Sequence, residues 1–267
     1  MDSLAGVRLR LDRVRAAVRE ISPAFLDTPA PSCLPLGRAI GCEVTLKVET
    51  LNPVRCFKGR GTETVAAAAC QQGASRLVCA SAGNLGQALA YSGANRGLAV
   101  TVVAARTANP LKLRQIAALG AEVRLDGEDI EDARLRAREI AEARRAYLVE
   151  DSLDLATCEG AGRSRSNWFE TIPDSTSCSW LSVAELWPAA WATSCVHSPR
   201  TSRWLGPSPP GSLRWRCLGT AAILEDPERF AGRRVTTILC GSNVVAARCY
   251  ATVFEVVKRW MASLAWS

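Results

Sequence analysis

Between residues 76 and 150 the chain alternates short apolar runs with charge-laced helical stretches, and this alternation restricts its fold more than any other feature. R-L-V-C-A (76–80) reads as a strand, and S-A-G-N leads from it into a helix ending near Arg96. L-A-V-T-V-V-A-A (98–105) is a second strand. Asn109-Pro110 opens a helix that Gly120 stops, because proline suits a first helical turn and glycine a helix end. A-E-V-R-L (121–125) and Y-L-V-E (147–150) are further strands, with an Arg/Glu-rich helix over 129–146 between them. Strands alternating with helices of this length predict a parallel sheet covered by helices. Ligands of such sheets bind at the carboxyl ends of strands, where S-A-G-N lies.

The flanks are less regular. Val7, Leu11, Val14, Val18 and Ile21 recur at helical spacing and predict an amphipathic helix over 7–21. Pro23, Pro29 and Pro31 interrupt it, and V-T-L-K-V-E (44–49) alternates like a strand. From Arg163 to Cys217 no period holds, and six of the eight tryptophans fall there. A segment of that length with so little pattern is unusual inside a compact domain. Pattern returns with a short helix and Gly stop over 219–232 and a strand over 234–243.

Bulk properties remove several classes of function. The opening residues mix charge with apolar side chains, unlike a signal peptide, and no apolar run reaches the roughly 18 residues of a membrane helix. The expectation is a cytoplasmic protein without a membrane partner. Net charge is +7, but the arginines are interleaved with Asp and Glu, which favours solvated helix faces over a nucleic-acid site. The eleven cysteines include no C-x-x-C pair and the sole histidine is His197, so no metal site is expected. The same scarcity of histidine disfavours a hydrolase that uses a histidine base.

Three segments carry chemistry. Lys58, one of four lysines, lies in N-P-V-R-C-F-K-G-R-G, read as a Gly-rich loop. A lysine buried in such a place is a nucleophile able to form a Schiff base, whereas an exposed one is an ordinary turn residue. Ser81-Ala82-Gly83-Asn84 follows a strand and leads into a helix. It offers backbone N–H groups to an anion such as a carboxylate, or Ser81 simply caps the helix. Cys240-Gly241-Ser242-Asn243 ends a strand and presents a thiol at the sheet edge, or is a plain turn.

F-K-G-R-G, S-A-G-N-L-G-Q-A and C-G-S-N, in this order around a βαβ block, resemble the fold-type II pyridoxal-phosphate (PLP) enzymes, and among them the threonine and serine dehydratases and serine racemase. The resemblance covers about 5–162 and an island at 219–243. It implies an α/β fold like that of the tryptophan synthase β-subunit, with parallel sheets flanked by helices. Residues 1–65 and 151–267 would form the larger, PLP-binding domain and 66–150 the smaller one. It further implies that Lys58 carries the cofactor and acts as base at the substrate's α-carbon. Phe57 would pack on the cofactor ring, Asn84 bond its 3′-oxygen, and Cys240 face its pyridine nitrogen. Ser81, Ala82, Gly83 and Asn84 would hold the carboxylate of a small amino acid, and a homodimer would fit.

The sequence also departs from that pattern. Leu85 stands where many relatives have His, and Ala82 where serine racemases carry a second serine, which favours a dehydratase over an isomerase. No C-terminal regulatory domain is recognisable. The glycine-rich loop that grips the cofactor phosphate is missing between Arg163 and Cys217. With G-ending codons and a two-base shift, Ser182 to Ala192 rereads as Gly-Gly-Gly-Ala-x-Ala-Gly-Gly-Val-Gly. The sequence therefore predicts a lyase that removes water and ammonia from a β-hydroxy amino acid. Its alternatives are an inactive relative with an out-of-frame segment at 163–217 and an incomplete C-terminal half, or a serine racemase-like isomerase.

Overall fold

The computed structural model describes residues 10–151, 153–171, 177–179 and 231–240. In chain order the elements are α1 (Leu11–Ala16), α2 (Pro23–Leu26), α3 (Leu34–Ile40), β1 (Glu43–Val48), α4 (Lys58–Gln71), β2 (Arg76–Ala80) and α5 (Asn84–Ala94). They continue with β3 (Ala99–Ala104), α6 (Pro110–Ala118), β4 (Glu122–Leu125), α7 (Ile130–Arg144), β5 (Tyr147–Val149), α8 (Leu155–Thr171), β6 (Ser177–Ser179) and β7 (Arg234–Leu239). Among the described residues these strands form two parallel sheets, one ordered β4-β3-β2-β5 and one ordered β1-β7-β6. The parallel α/β architecture expected of fold-type II is present.

The four-stranded sheet is buried on both faces, as parallel sheets are when helices cover them. Because successive side chains point to opposite faces, Leu77 and Cys79 of β2 join Val100 and Val102 of β3 against α4, α5 and α6. Val78 and Val103 face the other way, onto Ala133, Ala137 and Ile140 of α7. Leu77, Leu89 and Ile116 are wholly buried, each stabilising the fold by roughly 1.5–3 kcal/mol. Asn109 accepts from the Leu111 N–H and Asp129 accepts from Glu131 and Asp132, so α6 and α7 start where their caps stand.

Several expectations need correction. The predicted 7–21 helix is instead α1 followed by a 3-10 turn at Ala17–Arg19, and its first residues lie outside the described ones. Lys58 is not in a loop: it is the first residue of α4, whose alanine run 66–69 favours helix and packs Val65, Ala66 and Ala69 into the core. S-A-G-N does lead into a helix, but Ser81 is not its cap: Gly83 is the N-cap and Asn84 the first helical residue of α5. The irregular stretch from Arg163 does not begin with a break, since α8 runs on to Thr171 and β6 pairs with β7. The predicted strand 234–243 is β7, ending at Leu239. Residues 182–192 and most of 219–232 lie outside the described residues.

One close contact fixes how the parts meet. α4 and α8 cross where Gly61 faces the Thr157 carbonyl and Gly160 faces Thr64 and the Arg60 carbonyl. A Cβ on Gly61 would stand 2.6 Å from the Thr157 oxygen, and one on Gly160 would stand 2.6 Å from the Arg60 oxygen. Only glycine permits so near an approach of two backbones.

Candidate active site

The turn carrying Lys58 is held by a buried polar network. Asn52 Oδ1 accepts from the Val54 and Cys56 N–H groups, while its Nδ2 donates to the Cys56 carbonyl and to Glu49. Glu49 accepts from Arg60 Nη2 at 2.8 Å, and both side chains are fully buried. Thr28 Oγ1 donates to Glu49 and accepts from Arg60, and Lys47 Nζ donates to the Thr28 carbonyl at 2.6 Å. Burial lowers the Lys47 pKa, with Glu49 opposing that effect. Arg60 lies on α4 two residues after Lys58, so this network fixes the end of the helix that bears the amine.

Lys58 itself is 7% exposed. Its Nζ donates to both carboxylate oxygens of Asp151, each at 2.7 Å, and stands 5.5 Å from the centre of the Phe57 ring. Phe57 is buried, and its N–H donates to Cys240 Sγ at 3.4 Å across the end of β7. Desolvation pushes the Cys240 thiol up to about 12, so it is neutral at physiological pH. The structure therefore brings Cys240 to the adjacent pair Phe57 and Lys58, across 183 residues of chain from Phe57.

Ser81, Ala82, Gly83 and Asn84 form the half-buried turn between β2 and α5. Ser81 N–H donates to the Val103 carbonyl, and Ser81 Oγ accepts from Gly83 N–H at 3.1 Å. A Cβ on Gly86 would lie 2.6 Å from the Ser81 carbonyl oxygen, so α5 sits tight against the turn. β2 and β5 are parallel neighbours with Cys79 opposite Val149. Ser81 and Asp151 each follow by two residues and leave adjacent strands at the same carboxyl edge. Sequence reasoning missed Asp151, Asn52, Glu49 and Arg60. Asp151 carried a signal in its place just after a predicted strand, and Asn52 and Arg60 in their place within N-P-V-R-C-F-K-G-R-G.

The pyridoxal-phosphate dependent enzyme family model matches residues 21–175. This chain belongs to that family. The match runs past Arg163, so the first part of the irregular segment belongs to the family too. A human protein named serine dehydratase-like is 34% identical over 119 residues, covering 45% of this chain and 36% of that protein. A biosynthetic L-threonine dehydratase of Pasteurella multocida is 32% identical over 123 residues, 46% of this chain and 24% of the relative. The chain thus spans about a third, or less, of the length of these curated relatives. Threonine deaminase isoform 2 of Solanum lycopersicum superposes with a TM-score of 0.77 over 92% of this chain and 89% of that one, at 16% identity. Maize serine racemase gives 0.74 over 95% and 99%, also at 16% identity. At that identity these likenesses establish the fold.

The residues present suit the family's cofactor. A buried primary amine opens a helix beside an aromatic ring, a neutral thiol is tied to the same turn, and a turn ending in Gly83 and Asn84 lies at the carboxyl edge of β2. Among the described residues no cluster of His, Cys, Asp and Glu could hold a metal ion. No helix among them is long and apolar enough to cross a membrane.

Proposed function

We propose that this protein is a lyase that removes water and ammonia from a small β-hydroxy amino acid such as serine or threonine. The observation that carries the reading is the joining of Lys58, Phe57 and Cys240 at one edge, with a thiol held neutral by burial. Pyridoxal phosphate, when bound, supplies the electron sink for the substrate's α-carbon.

Lys58 would carry the cofactor and, once released, take the α-proton on Nζ. Phe57 would cover the cofactor ring and Asn84 would donate to its 3′-oxygen. Cys240 would face the ring nitrogen without supplying a proton to it, which suits elimination. Ser81, Ala82, Gly83 and Asn84 would hold the substrate carboxylate, using backbone N–H groups at the start of α5 whose dipole favours an anion. Residues 66–150 would form the smaller domain, and 1–65 with 151–267 the larger, cofactor-binding one. The names of the curated relatives, serine dehydratase-like and L-threonine dehydratase, agree with this chemistry.

The test is product analysis. Purified protein loaded with pyridoxal phosphate and given L-serine or L-threonine should release ammonia and a 2-oxo acid. Formation of the D-amino acid without ammonia would replace this reading with a racemase. Failure to load the cofactor would favour the inactive, out-of-frame relative.

A further inference from the structure

The ion pair of Lys58 is not used by the chemistry above, yet it holds the reactive amine at hydrogen-bond distance. Both Asp151 oxygens stand 2.7 Å from Nζ, in a geometry that accepts two of its three hydrogens at once. The Lys58 side chain is 9% exposed and that of Asp151 29%, so water screens the pair only in part. The neighbouring Cys79 and Cys158 thiols are pushed up to about 12, first by burial and then by nearby carboxylates, Asp151 for both and also Asp154 and Glu159 for Cys158. Asp151 leaves β5 at the edge where Ser81 leaves β2.

We propose that Asp151 is the docking site of the Lys58 ammonium whenever Lys58 is not joined to the cofactor. The proposal deepens the lyase reading and rests on it for its second half. Lys58 is unlinked twice: before the cofactor arrives, and again during turnover, once the substrate's amine has displaced it and it is free to take the α-proton. In the first case the lysine nitrogen must leave Asp151 to bond the cofactor's aldehyde carbon, and two of its hydrogens depart with the aldehyde oxygen as water. In the second the Cα–H bond breaks, the proton moves to Nζ, and the bonding pair stays with the α-carbon, where the cofactor accepts it. The new ammonium then docks on Asp151. One contact therefore opposes cofactor coupling and favours proton abstraction.

These opposite signs make the test specific, because damage to the fold would weaken both. Asp151→Asn is titrated with pyridoxal 5′-phosphate, following the visible absorbance and mapping the borohydride-reduced link to Lys58. The same protein, loaded, is given L-serine in deuterium oxide to measure α-hydrogen exchange. Cofactor coupling should tighten about tenfold and exchange should slow about tenfold, the size expected when a close opposite charge is removed. Asp151→Glu, which keeps the carboxylate, should recover part of both. Should Asp151→Asn fail to melt cooperatively, Asp151→Ser gives the same comparison. Coupling and exchange falling together, or neither moving, would overturn the proposal. Where elimination outruns exchange, its rate is read in place of exchange. If the natural protein neither exchanges α-hydrogen nor releases ammonia, the lyase reading fails, and the titration alone decides the docking role: tighter coupling supports it and unchanged coupling refutes it.

Discussion

The two sheets of this protein are made from opposite kinds of chain. β2, β3, β4 and β5 come from one continuous stretch, residues 76–149, and each strand pairs with a strand one or two elements away, except that β5 returns to β2. β1, β7 and β6 draw on residues 43–48, 234–239 and 177–179. The first sheet closes short loops and buries apolar residues on both faces. The second must bring together segments nearly two hundred residues apart, and closing long loops costs more chain entropy before any contact repays it. The reactive amine belongs to neither sheet alone. It sits on α4, whose first turn is bonded to β7 through Phe57 and Cys240 and to the end of β5 through Asp151. The site is therefore where a robust, local unit meets one held by distant pairing.

Removing the amine that bridges the two halves should have the largest effect. Lys58→Ala should abolish covalent cofactor capture and reduce elimination by about 10²–10⁴-fold or more, the usual range for loss of a general base. Borohydride trapping followed by peptide mapping checks this, and a label on Lys47 or Lys112 in the natural protein would move the site elsewhere.

Next in size, Glu49→Gln should cost about 3–5 kcal/mol, because it leaves Arg60 charged and wholly buried without its counter-ion. The loss should be uneven. Hydrogen exchange should accelerate in β1 and β7 while β2 and β3 keep their protection. Uniform acceleration would show that the two sheets unfold as one.

Gly160→Ala should follow, at about 1–3 kcal/mol, since its methyl would meet the Arg60 carbonyl oxygen and Thr64. A chemical melt measures it. Alanine favours the helix itself, so a stabilised variant would mean that α4 and α8 do not touch at Gly160.

The smallest effect belongs to the outer strand of the local sheet. Hydrogen bonds from Arg144, and then from Arg124, hold the Glu122 carboxyl down to about 2. A carboxyl held low in the folded state stabilises it above its ordinary value of 4.5, and the gain fades as pH falls toward 2. The side chain is 43% exposed, so solvent screening keeps the contribution below about 1 kcal/mol. Glu122→Gln should lower the melting temperature slightly at pH 7 and match the natural protein near pH 2.

The local sheet is legible in the sequence segment by segment. Its periods of two and near four are properties of single segments, and caps such as Asn109 and Asp129 act within a few residues. The sequence also marked Lys58 and the turn from Ser81 to Asn84, because unusual residues stand there in order. It did not show that Lys58 begins a helix: the glycines at 59 and 61 read as a loop, and only the packing of α4 between Phe25 and α8 explains them. Nor did it reveal Asp151, Glu49 or Arg60, since acidic and basic residues are common throughout the chain and nothing local separates a buried ion pair from a solvated one. Tertiary structure decided those, because charge pairing at 2.7–2.8 Å depends on which distant backbones are brought side by side.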